Sequence, residues 1–132
     1  MDTLTTRTLE RFRKAILSLE KALDLRELPE RAERDAVLLR FELAAELAPK
    51  LLQRILAERG ADVVLPKDSI RTAATAGLIT DEDGEALLAM TDDRNRMVHD
   101  YAEAFADELL LRIKETYAPA LRTLADSAAS LI

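Results

Sequence analysis

A chain of 132 residues, 48% of them hydrophobic, is one domain's worth of sequence, residues 1–132, with apolar surface enough for a core. The absence of cysteine excludes disulfide scaffolds, thiolate metal sites and thiol nucleophiles, and a single histidine excludes a histidine-rich zinc site within one chain. A net charge of −6 speaks against a broad electrostatic grip on nucleic acid and leaves room only for a local site.

With 3 glycines and 4 prolines, the chain lacks the turn punctuation that a sandwich or barrel needs, so the expectation is all-α. Leu9, Phe12, Ile16, Leu19 and Leu23 form a heptad seam on a first helix over about residues 4–25. Val37, Phe41, Ala44, Ala48, Leu51 and Ile55 repeat that stepping on a second helix over roughly 30–59. Pro29 suits its first turn, Gly60 its left-handed C-cap, and Pro49 predicts a kink near Leu47. Ala61 to Leu65 reads as an extended crossing, and Pro66 opens a short helix that closes at Gly77. Thr80 is a good N-cap for a fourth helix that begins in Asp81, Glu82 and Asp83, where negative charge favours the helix N-terminus. Leu87, Met90, Arg94 and Met97 share one face of that helix. The last helix carries Phe105, Leu109, Ile113, Tyr117, Leu121 and Leu124 on one stripe, with a bend expected at Pro119.

No run reaches the ~20 apolar residues of a spanning helix; the longest uncharged one extends from Thr72 to Thr80. The beginning Met1-Asp2-Thr3-Leu4 has no basic region followed by an apolar one, so the expected location is cytoplasmic, without a membrane partner. The glycines are isolated, which removes P-loop and dinucleotide fingerprints, and no Gly-Ser pair is present to open a nucleotidyltransferase active-site turn. Asp81 to Gly84 hints at a calcium loop, but setting Gly84 at its sixth position puts Ile79 first and Met90 twelfth, where carboxylates are required. Arg7, Arg11, Arg13 and Lys14 read as an exposed polar face before a phosphate track.

The chemistry is concentrated in Asp92-Asp93-Arg94-Asn95-Arg96-Met97-Val98-His99-Asp100-Tyr101. Arg94, Asn95, Arg96, His99 and Tyr101 can all contact phosphate, ribose or base. On a continuous helix Arg94 and His99 stand about 140° apart and share no face. Asp100 followed by Glu103 has capping-box spacing, which predicts a helix start at Tyr101, a preceding helix ending near Val98, and His99 and Tyr101 free to turn toward Arg94.

Arg94, His99 and Tyr101 reproduce an Arg-x4-His-x-Tyr motif, and the segment resembles the HEPN family, small helical proteins encoded beside minimal nucleotidyltransferases. Phe41-Glu42-Leu43 with Glu46-Leu47, Pro66 to Ile79 ending in Ala76-Gly77-Leu78-Ile79, and Asp93-Arg94-Asn95 follow the block order of its branch of nucleotidyltransferase substrate-binding proteins. The likeness extends over roughly residues 8–125. Pro49 departs from it, standing where the branch has a bulky aromatic.

The resemblance implies an antiparallel, up-and-down four-helix bundle with an additional short helix, paired as a homodimer with the motifs facing each other. It implies a toxin acting as a metal-independent ribonuclease, with no cofactor and a minimal nucleotidyltransferase from a neighbouring gene as partner. Arg94 and His99 would then be catalytic, Asn95, Arg96 and Tyr101 would bind RNA or nucleotide, and Tyr101 would be a site for AMP attachment. Metal-free cleavage needs a base for the 2′-OH, an acid for the leaving oxygen and cations on the phosphorane. Imidazole titrates near pH ~6.5, and the dimer supplies the second one that a lone His99 lacks. The alternative is a non-catalytic subunit that uses the same residues to hold a nucleotide or substrate for the nucleotidyltransferase. Asp92, Asp93 and Asp100 beside the motif favour that alternative, since carboxylates repel an RNA backbone.

Overall fold

A computed structural model describes residues 3–25, 30–99 and 102–132. Among them all regular structure is helical: α1 (Thr3–Leu23), α2 (Glu30–Glu58), α3 (Pro66–Thr75), α4 (Asp81–His99), α5 (Glu103–Arg112), a π-helical turn (Ile113–Tyr117), α6 (Ala118–Ser127) and a closing 3₁₀ turn (Ala128–Leu131).

Helix formation follows the apolar period. Leu9, Phe12, Ile16 and Leu19 are buried along α1, and the expected stripe from Val37 to Ile55 is buried along α2. Leu38, Leu47, Leu52 and Leu56 are buried as well, so α2 hides more than one seam. It packs against α1, α3, α4, α5 and α6 and is the central helix. α2 also continues through Pro49, whose ring is buried; packing around that turn offsets the loss of one backbone donor. Pro29, expected in its first turn, lies outside the described residues.

Local chemistry sets the other ends. Gly60 and Gly77 adopt φ of +85° and +78°. Each closes a Schellman motif, with Ala61 N–H donating to the Leu56 carbonyl and Leu78 N–H to the Ala73 carbonyl, both at 2.9 Å. Pro66 stands in the first turn of α3. Thr80 caps α4, its Oγ1 accepting from the Asp83 N–H at 3.1 Å.

Charged contacts give the direction of the runs. Arg34 near the start of α2 meets Glu103 at the start of α5, and Arg59 beyond the end of α2 donates to the Leu131 carbonyl. α2 and the run from α5 through α6 therefore point the same way. α1 and α4, each joined to one of these by a short connection, run opposite to them, which makes an up-and-down bundle with α3 crossing from α2 to α4. The buried residues form one core, and among the described residues no helix is long and apolar enough to cross a membrane.

The last helix departs from the expected single stripe. Its six apolar residues are buried as predicted, but the interruption is the π turn over Ile113–Tyr117 rather than a bend at Pro119. Ala118 N–H donates to the Ile113 carbonyl five residues back, and Pro119 follows within the first turn of α6.

Candidate functional site

α4 carries the motif at its C-terminal end. Arg96 and His99 lie in its last turn, where cations complement the helix dipole. The helix ends at His99, within one residue of the expected end near Val98, and still holds Arg94 and His99 about 140° apart around one helix axis. The connection that was to free His99 comes after it. α5 begins at Glu103, two residues later than the expected start at Tyr101, with Ala102 at its N-cap and no side-chain cap. Asp100 and Tyr101 lie outside the described residues, and so does the acceptor half of the expected capping box.

Glu103 has a different role. Its carboxylate accepts from Arg34 Nη1 at 2.9 Å, and the same nitrogen donates to Asp107 at 2.9 Å. Arg34 also reaches Asp35 at 3.2 Å and is only 4% exposed. A buried guanidinium from α2 thus fastens the first turn of α5, immediately after the motif. The hydrogen bond from Arg34 holds the Glu103 carboxyl below the usual glutamate range.

On α4 itself, Asp93 is fixed from across the bundle. Arg112 grips it bidentately, Nε to Oδ2 at 2.7 Å and Nη2 to Oδ1 at 3.1 Å, and the Tyr117 hydroxyl donates to Oδ2. Burial first, and the bond to Asp93 second, push the Tyr117 phenol far above its ordinary pKa, so it remains a proton donor. Asp92 pairs with Lys67 of α3. The Arg96 guanidinium lies 4.1 Å from the centroid of the Phe105 ring, a cation–π contact that orients it across the α4–α5 corner. Arg112 approaches the same ring at 5.8 Å.

Of the expected site residues, Asn95, Arg96 and His99 are exposed and Arg94 is half-buried. Arg94 Nε is buried without a hydrogen-bond partner, and among the described residues its guanidinium has no ion pair. The arrangement presents guanidinium and imidazole groups to an anion at an exposed helix end. Among the described residues no three or more His, Asp or Glu side chains group as metal ligands.

A cavity of about 480 Å³ is lined by Ile79, Thr80, Asp81, Leu87 and Leu124, at the start of α4 and about 20 Å along the helix from Arg94. A smaller one of about 300 Å³, lined by Asp35, Leu38, Leu39, Glu42 and Met97, adjoins the motif end. Arg7, Arg11, Arg13 and Lys14 stay exposed on α1.

Sequence reasoning missed Lys67, Arg112, Tyr117 and Arg34. Tyr117 alone carried a signal: a phenol on a buried stripe needs an acceptor, although the stripe does not say which.

A family model described as "Nucleotidyltransferase substrate binding protein like" matches residues 7–130. Among solved structures, a protein of Thermus thermophilus is 35% identical, with 90% of this chain and 96% of that one covered and a TM-score of 0.74. A tri-AMPylated HEPN toxin of Shewanella oneidensis, in complex with its MNT antitoxin, is 18% identical over 98% of this chain and 99% of that one, with a TM-score of 0.80. A toxin–antitoxin structure with AMP-PNP is 16% identical over 97% and 99%, with a TM-score of 0.79. These last two share the fold. Comparison with curated proteins gives no match.

Proposed function

Because the chain belongs to the nucleotidyltransferase substrate-binding-protein-like family, we propose that it is the HEPN toxin of a toxin–antitoxin pair, a metal-independent endoribonuclease paired in the cytoplasm with a minimal nucleotidyltransferase. The observation that carries this reading is the unbroken end of α4, with Arg94 unpaired among the described residues and an exposed His99 on a different side of the same helix. One chain does not close a site from such a pair. A homodimer with its motifs facing joins two imidazoles and two guanidiniums in one cleft.

In that cleft one His99, neutral, takes the 2′-OH proton, and the other, protonated, gives its proton to the departing 5′-oxygen. The Arg94 guanidiniums stabilise the charge that develops on the phosphorane. Asn95 and Arg96 contact ribose or phosphate, and AMP attached to Tyr101 would fill the cleft and neutralise its cations. The fold shared with the AMPylated Shewanella oneidensis toxin supports that last role.

The second reading, a non-catalytic subunit that holds a nucleotide or substrate for the nucleotidyltransferase, is favoured by the family's own description. Growth on expression of the chain alone separates the two. Toxicity lost with Arg94→Ala or His99→Ala selects the ribonuclease, and no toxicity together with nucleotide binding selects the subunit. Mass spectrometry after coexpression with the nucleotidyltransferase checks Tyr101: an AMP adduct is expected, and its absence removes the modification.

A further inference from the structure

Arg94 directly follows two carboxylates, Asp92 and Asp93. Neighbouring residues of opposite charge do pair in this protein, as Arg34 does with Asp35 at 3.2 Å. An unengaged Asp93 would compete for the Arg94 guanidinium and repel any anion approaching it. The structure removes both effects by the same means. Lys67, from α3, takes Asp92, and Arg112 with Tyr117, from the α5–α6 run, takes Asp93.

The Asp93 arrangement depends on the π turn. Arg112 and Tyr117 are five residues apart, and in an uninterrupted α-helix they would point about 140° away from each other. The wider turn over Ile113–Tyr117, closed by the bond from Ala118 N–H to the Ile113 carbonyl, narrows the angle between residues with that spacing. Both side chains then reach one carboxylate, whose side chain is only 17% exposed. Tyr117 is additionally fixed by stacking on Phe41, with ring centroids 5.9 Å apart.

We infer that Arg112 and Tyr117 are positioning residues for Arg94: by occupying Asp93 they keep its guanidinium available to the phosphate of a ribonucleotide. The inference rests on the proposed reading in which Arg94 meets phosphate. It assigns a use to the π turn and to two residues outside the motif. It also changes the meaning of Asp93 in the acidic flank, whose charge is taken up by Arg112 within the bundle rather than turned against the ligand.

The test is a charge-balanced mutant cycle on the full chain, with AMP as the probe in NMR titrations. Arg112→Gln leaves the Asp93 carboxylate without its cation and weakens AMP binding about tenfold, a loss of about 1.4 kcal/mol, while the Arg94 Nε–Hε resonance moves. The double variant Arg112→Gln/Asp93→Asn removes the freed charge and returns both affinity and resonance toward the wild type. A purely structural role predicts equal losses in the single and double variants, and that result overturns the inference, as does wild-type affinity in Arg112→Gln. Where Arg112→Gln does not fold, Tyr117→Phe with and without Asp93→Asn runs the same cycle on that carboxylate. Equal AMP binding by wild type and Arg94→Ala removes the phosphate reading instead. Positioning is then judged on the resonance alone: a shift in Arg112→Gln that Asp93→Asn reverses supports it, and an unmoved resonance refutes it.

Discussion

The start of α4 is held by its neighbours in the chain: Thr80 caps it, Asp81 to Asp83 complement its dipole, and Gly77 turns the chain into it. Its end is held by residues far away in sequence, with Lys67 on Asp92, Arg112 and Tyr117 on Asp93, Phe105 beneath Arg96, and Arg34 fastening the next helix at Glu103. A helix end that only has to stop can be specified locally. An end that carries cations and acids side by side needs partners that only the bundle supplies.

That contrast predicts that the buried remote contacts, at Arg34 and Tyr117, cost more to remove than the local cap at Thr80, and the solvated remote pair at Lys67 less. The largest effect is expected from Arg34→Ala, which deletes a buried guanidinium bonded to Glu103, Asp107 and Asp35; a loss of about 2 kcal/mol should appear as a lower urea midpoint. A cost below that of Thr80→Ala would break the comparison. The same variant should alter acid unfolding. Arg34 depresses the Glu103 carboxyl, so this contribution is present above the ordinary glutamate range, near pH ~4.3, and is lost as pH falls through the folded value; Arg34→Ala should remove that part of the pH dependence.

Tyr117→Phe comes next, at about 1.5 kcal/mol for a hydrogen bond to a charged acceptor. Its phenol pKa is raised on folding, so its contribution holds below pH ~10 and declines as pH rises beyond it; wild type should lose stability there faster than the phenylalanine variant. Ultraviolet titration of Tyr101→Phe, which leaves Tyr117 as the sole tyrosine, should show no phenolate at pH ~10 in the folded chain. Thr80→Ala should cost about 1 kcal/mol, the ordinary value of an N-cap. Smallest is Lys67→Ala, whose pair with Asp92 is largely solvated and should count for less than about 0.5 kcal/mol in thermal unfolding.

The amino-acid sequence determined the helical class, the buried faces and most helix ends by itself. Phe12, Phe41 and Leu121 are buried where the period places them, and Gly60, Gly77 and Thr80 do what their local conformations require. It also drew attention to Arg94, Asn95, Arg96 and His99, because so many hydrogen-bonding groups stand together. The π turn, the start of α5 at Glu103 and the partners of Asp92 and Asp93 were decided only in the tertiary structure. Periodicity and capping act over one or two turns of chain, whereas Asp93 receives Arg112 and Tyr117 only once α4 and the α5–α6 run have packed side by side. Of the acidic charge that counted against a phosphate site in the sequence, the part on Asp93 is, in the folded chain, paired with Arg112 and Tyr117.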